Sequence, residues 1–133
     1  WLMSGHFHTF PNLKVAYSEG QIGWIPYILE RADTVWRENR AWGGVEDKVF
    51  EPPSEMFKRH VYGCFFDDAH GLRSIEEIGV DNVTYESDYP HSDSTWPHTA
   101  KIAEEQTADL SDEIVYKVLR GNAIKMLHLD LDS

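Results

Sequence analysis

Four side chains able to bind a metal or move a proton, Asp88, His91, Asp93 and His98, fall within eleven residues of one another. The hard carboxylate oxygen of Asp88 suits zinc, manganese or magnesium, and imidazole adds a nitrogen donor that zinc and manganese accept. These residues follow Val83-Thr84-Tyr85, a run of strand formers, so the Asp88 carboxylate emerges where a strand ends. In α/β proteins the carboxyl end of a parallel strand is where chemistry sits. Tyr89-Pro90 forces an extended exit, and Trp96-Pro97 marks a new helix start with proline in its first turn. The loop is thereby held at both ends. The plain alternative is a polar, helix-capping loop after an ordinary strand.

The elements that position this loop can be read along the chain. Residues 1 to 11 read as a helix remnant stopped by Gly5 and Pro11, and Leu13 to Ser18 as a short strand closed by Glu19-Gly20. From Trp24, the positions Ile25, Ile28, Leu29, Ala32, Val35 and Trp36 follow helical spacing, with Asp33 and Arg37 placed to pair on the other face. Residues 40 to 53, with Gly43-Gly44 and Pro52-Pro53, read as a long loop. Ser54 caps a brief helical turn before the apolar strand His60 to Phe66, which Asp67-Asp68-Ala69-His70-Gly71 closes. Leu72, Ile75 and Ile78 space a short helix ending at Gly79, and the strand before Asp88 follows. Ser111 opens a helix stopped by Gly121, and Asn122 caps the last one. Strands separated by crossovers this long call for a parallel sheet in an α/β fold.

Composition narrows the function classes. The 133 residues suit a single domain over 1–133, and 41% hydrophobic with 26% charged residues describes a globular chain with material for a core. A formal charge of −11 argues against a phosphate-binding surface, so no nucleic-acid partner is expected. No stretch approaches the ~18 apolar residues of a membrane span, so no membrane partner is expected either. The single cysteine, Cys64, lies in the apolar run Val61 to Phe66, which reads as a buried, inert thiol and a reducing, cytoplasmic setting.

Three blocks resemble a known family. Phe10-Pro11-Asn12-Leu13-Lys14-Val15 with Glu19-Gly20 and Trp24-Ile25-Pro26 is similar to its sixth strand and following helix. Asp81-Asn82-Val83 through Ser87-Asp88-Tyr89-Pro90-His91 resembles its eighth strand and metal-binding aspartate, and Gly121-Asn122-Ala123 its closing helix. The family is that of the metal-dependent, amidohydrolase-related TIM barrels, which include the aminocarboxymuconate semialdehyde decarboxylase type. The resemblance implies the C-terminal portion, about strands six to eight, of a (β/α)₈ barrel with a divalent metal at its mouth. It also implies ligation by a His-x-His on strand one, a histidine on strand five and the strand-eight aspartate, of which this chain carries Asp88. His6-Phe7-His8 imitates the first motif but precedes strand six, so it reads as a decoy.

Roles follow from the resemblance. Asp88 is the expected metal ligand, for zinc first and manganese or magnesium as alternatives; its other reading is a capping or salt-bridged aspartate. His91 reads as a substrate or outer contact at the mouth, or as an exposed loop histidine. Glu19 stands where the family's decarboxylases carry a proton-handling histidine, which favours hydrolysis of a small organic substrate through a metal-activated water and leaves decarboxylation as the alternative. Sharing strand parity with Val15 and Tyr17, Glu19 points inward if that row does; with its strand ~10 Å from that of Asp88, it is expected as a base, not a shared ligand. Asp67, Asp68 and His70 either line the mouth or cap a turn. The rival class is a non-catalytic barrel relative that binds a ligand or protein. Open sheet edges imply self-association or pairing with a missing N-terminal portion.

Overall fold

Three short apolar runs form the strands in a computed structural model that describes residues 1–131; the last two residues of the expected 1–133 domain lie outside the described residues. β1 (Val15–Tyr17), β2 (Val61–Phe65) and β3 (Val83–Tyr85) make one sheet in the order β1-β2-β3. Both pairs are parallel, with Val15 opposite Val61 and Gly63 opposite Val83. Helix α1 (His6–Thr9) precedes β1, and α2 (Ile25–Asn39) with α3 (Pro53–His60) connects β1 to β2. Helices α4 (Ala69–Arg73) and α5 (Ile75–Ile78) lead to β3, and α6 (Thr99–Thr107), α7 (Asp112–Tyr116) and α8 (Asn122–Leu127) follow it. The parallel α/β arrangement expected from long crossovers is present.

Alternation along the strands sends Val15, Val61, Phe65, Val83 and Tyr85 to the helices, where they pack with Ile22, Ile25, Met56, Phe57, Ile78 and Val118. A Cβ on Gly63 would stand 2.9 Å from Ile22 and Ile25, so glycine lets the start of α2 press onto the sheet. Tyr17 joins this row and meets the Trp24 ring edge-on at 6.2 Å. The row expected to point inward with Glu19 therefore faces the helices. Tyr62, Cys64 and Thr84 occupy the other face, where the Cys64 thiol lies 2.9 Å from the Thr84 hydroxyl. Burial pushes the Cys64 thiol above its ordinary pKa.

A buried polar side chain ties the foot of each strand. His60 Nδ1–H donates to Leu13 O at 2.8 Å, and Asn82 Nδ2 donates to Val61 O at 2.7 Å and Lys58 O at 2.9 Å. Asn122 Nδ2 donates to Val83 O at 2.8 Å and Val80 O at 2.7 Å. All three side chains are at most 4% exposed, and the bonds to Val61 O and Val83 O are buried where water would not replace them.

Several local expectations are revised. The helix expected over residues 1 to 11 is only α1, beginning after left-handed Gly5, and the strands are shorter than read because His60 closes α3 and Leu13 serves as a bond acceptor. Asp33 does not pair with Arg37; its carboxylate accepts from Ser54 N at 2.9 Å and Ser54 Oγ at 2.6 Å, capping α3 in place of Ser54. An orphan helix-end N–H attracts a carboxylate better than an exposed guanidinium four residues away. Leu72 and Ile78 fall in separate helices, and Pro97 precedes α6 without entering its first turn. Gly121 does not stop a helix: a π-helical turn, Lys117–Gly121, joins α7 to α8, and Gly121 is small because the Tyr116 ring stands 2.9 Å from where its Cβ would be. Asn122 is a tie inside this continuous run, not its cap.

Candidate metal centre

The carboxyl ends of β1 and β3 bring three chemically capable side chains together. After Glu86, whose N–H extends the ladder to Phe65 O at 3.0 Å, the chain turns through Asp88 in the left-handed region at φ 57°. His91 N–H closes this turn on Asp88 O at 2.9 Å. The carbonyl of Ser87 anchors the loop by accepting from Thr95 N at 3.1 Å and Ser94 Oγ at 2.7 Å. Asp88, 10% exposed, is thus fixed in direction by its backbone, and its Oδ1 lies 2.8 Å from His91 Nδ1.

Glu19 arrives from the other side. Its backbone is left-handed at φ 61°, as is that of Gln21 at φ 54°. Glu86 Oε1 accepts the Glu19 N–H at 2.5 Å. The next residues are held by Asp68, whose Oδ2 accepts from Ile22 N at 2.8 Å and Gly23 N at 2.6 Å, while its Oδ1 accepts from Gly71 N at 2.8 Å. Gln106 Oε1 in turn accepts from Asp68 N at 3.0 Å. The Glu19 carboxylate reaches 3.8 Å from His91 Nδ1.

One donor atom from each of Glu19, Asp88 and His91 lies within 4.8 Å of the others, the one such group among the described residues. The expectation that Glu19 stands too far away to share a ligand with Asp88 is therefore corrected. Strand spacing separates the backbones, but the left-handed turn at Glu19 brings its side chain back across the gap. Asp93, His98, Asp67, Asp68, His70, His6 and His8 lie outside the group. Asp68 is a capping residue, and His8 Nε2 accepts from Phe50 N at 3.3 Å.

Charge at the site is strongly negative. The hydrogen bond that His91 donates to Asp88, then the charges of Asp88 and Glu19, raise the His91 pKa, so the imidazolium persists to higher pH than usual. Burial raises Glu86, opposed by the Glu19 N–H it accepts and reinforced by the Asp88 and Glu19 charges. Two carboxylates and one imidazole fit a divalent ion, because the hard oxygens and one nitrogen match zinc or manganese. Sequence reading missed Glu86, although Thr84, Glu86 and Asp88 share the period-two row that places them on one face.

A parallel sheet with its ionisable group at the carboxyl ends of the strands defines an α/β fold whose candidate site lies where such folds place their chemistry. A family model described as Amidohydrolase matches residues 1–129, and the chain belongs to that family. It resembles the crystal structure of a 5-carboxyvanillate decarboxylase from Sphingomonas paucimobilis at 28% identity and TM-score 0.78, over 96% of this chain and 37% of that one. An amidohydrolase from Mycobacterium avium subsp. paratuberculosis is similar at 20% identity and TM-score 0.77, over 95% of this chain and 31% of that one. A dihydroxybenzoic acid decarboxylase from Polaromonas sp., with bound manganese and 2-nitroresorcinol, is similar at 24% identity and TM-score 0.70, over 96% and 37% respectively. The chain thus spans about a third of the length of these structures. No curated protein matches it by sequence search. Among the described residues no helix is long and apolar enough to cross a membrane.

Proposed function

We propose that this chain supplies strands six to eight of a (β/α)₈ barrel and one side of a divalent-metal centre in an enzyme acting on a small organic substrate. The observation that carries the reading is the convergence of Glu19, Asp88 and His91 at the carboxyl ends of β1 and β3. Asp88 holds the ion, zinc or manganese, with Glu19 and His91 within reach of it. When bound, the ion supplies a Lewis acid that polarises the substrate or lowers the pKa of water.

The chain's own groups then fit hydrolysis. The Glu19 carboxylate accepts the proton of an attacking water and passes it to the leaving group, while His91, 2.8 Å from Asp88 and 3.8 Å from Glu19, stands at the mouth to contact the substrate or the ion. Decarboxylation is the second reading, supported by the 28% identity to a 5-carboxyvanillate decarboxylase. In that reaction Glu19, which stands where the family's decarboxylases carry a proton-handling histidine, passes a proton from water to the carbon that loses carbon dioxide. The open edges of β1 and β3 favour pairing with further strands or with a second copy, since Tyr17 of β1 and the Trp24 ring against it lie exposed.

Metal analysis of the full-length protein, followed by chelation and re-addition of zinc or manganese, tests the reading. Activity that survives complete metal removal overturns it. Carbon dioxide release from hydroxylated aromatic acids, compared with cleavage of ester, lactone and amide panels, separates the two reactions.

A further inference from the structure

We infer that Glu86 is a positioning residue, its carboxylate clamping the Glu19 backbone so that the Glu19 side chain stands beside Asp88. The inference rests on the proposal that Glu19 and Asp88 face a common ion.

β1 and β3 are not neighbours; β2 lies between them, which separates their ends by ~10 Å. Two features close that distance. Glu86 lies on the same face as Thr84 and accepts the Glu19 N–H at 2.5 Å, a bond that links the end of β3 directly to the turn after β1. Glu19 itself is left-handed at φ 61°, a conformation that a residue with a Cβ keeps only when its surroundings hold it. Fixing the amide on Glu86 fixes the peptide plane and, with it, the direction in which the Glu19 side chain leaves the backbone. Without that acceptor the residue relaxes to negative φ, and its carboxylate turns from the Asp88–His91 pair. Glu86 lies outside the three-residue donor group, so its part is to orient Glu19, not to join the group.

Reach and charge are separated by two substitutions in the full-length protein. Glu86→Gln keeps the length and a carbonyl acceptor but loses the charge, whereas Glu86→Asp keeps the charge but withdraws the carboxylate by one methylene. Hydrogen exchange read by mass spectrometry over residues 18–20 reports the clamp without any metal, and manganese affinity read by electron paramagnetic resonance reports its consequence. Glu86→Asp is expected to speed exchange at Glu19 and weaken manganese by about tenfold, the scale of lost outer-sphere support, while Glu86→Gln preserves both. The reverse order, or unchanged exchange in Glu86→Asp, overturns the inference. If the unaltered protein binds no manganese, the common-ion reading falls, and the exchange comparison still decides whether Glu86 clamps Glu19.

Discussion

Replacing Asp68 by alanine should destabilise the protein by a predictable amount. Its carboxylate accepts three backbone N–H bonds, from Ile22 and Gly23 at the start of the α2 approach and from Gly71 in α4. Bonds to a charged acceptor contribute ~1.5–3 kcal/mol each, so three would sum to ~4.5 kcal/mol even at the lower figure if water could not reach the freed groups. The site is half-buried, so water can reach the freed amides, and about 2–3 kcal/mol is the expected loss. For a domain of this size that corresponds to roughly 6–15 °C in Tm. Asp68→Asn retains one carbonyl oxygen and should cost about half as much. Thermal and urea unfolding of both variants give the comparison. An Asp68→Ala protein within about 0.5 kcal/mol of the parent, the range of ordinary surface substitutions, would refute the assignment of Asp68 as the bracket joining two crossovers.

Asp88→Ala should reduce manganese or zinc binding by at least tenfold, measured by calorimetry, because the least exposed donor of the group is removed. Cys64 should resist a thiol reagent in the native protein and react after unfolding; its raised pKa also makes stability fall as pH climbs from the ordinary thiol value toward the folded one, checked by comparing the parent with Cys64→Ala at pH 8 and 10. Asn122→Ala should cost about 2–3 kcal/mol, since two carbonyls at the foot of β3 lose their donor, and denaturant unfolding reads it directly. Sedimentation at micromolar concentration should find the 133-residue chain associated through its open sheet edges; a cooperatively unfolding monomer would contradict that.

Parallel strands were legible because long crossovers leave no antiparallel option, and Cys64 was legible because a continuous apolar run has no exposed side. Asp88 stood out because it follows a strand directly. The place of Glu19 was not legible. Period-two counting put it in the row of Tyr17, and nothing in local composition signals that a glutamate takes the left-handed turn that glycine usually occupies. Asn82 and Asn122 were equally hidden: each looks like a turn or cap residue, and only tertiary packing decides that its amide serves the carbonyls of a neighbouring strand.

The ties at His60, Asn82 and Asn122 sit at the amino ends of the strands, whereas Glu19, Asp88 and His91 sit at the opposite ends. Inheritance can therefore treat the two ends as separate ledgers of change. Outside the Asp68 bracket, loops above the sheet can be lengthened, exchanged or recoloured in charge while the base stays locked, so new chemistries can be explored without unpicking the framework. A substitution in one of the three ties has no such freedom: it loosens two segments at once, whatever substrate the upper loops have come to favour.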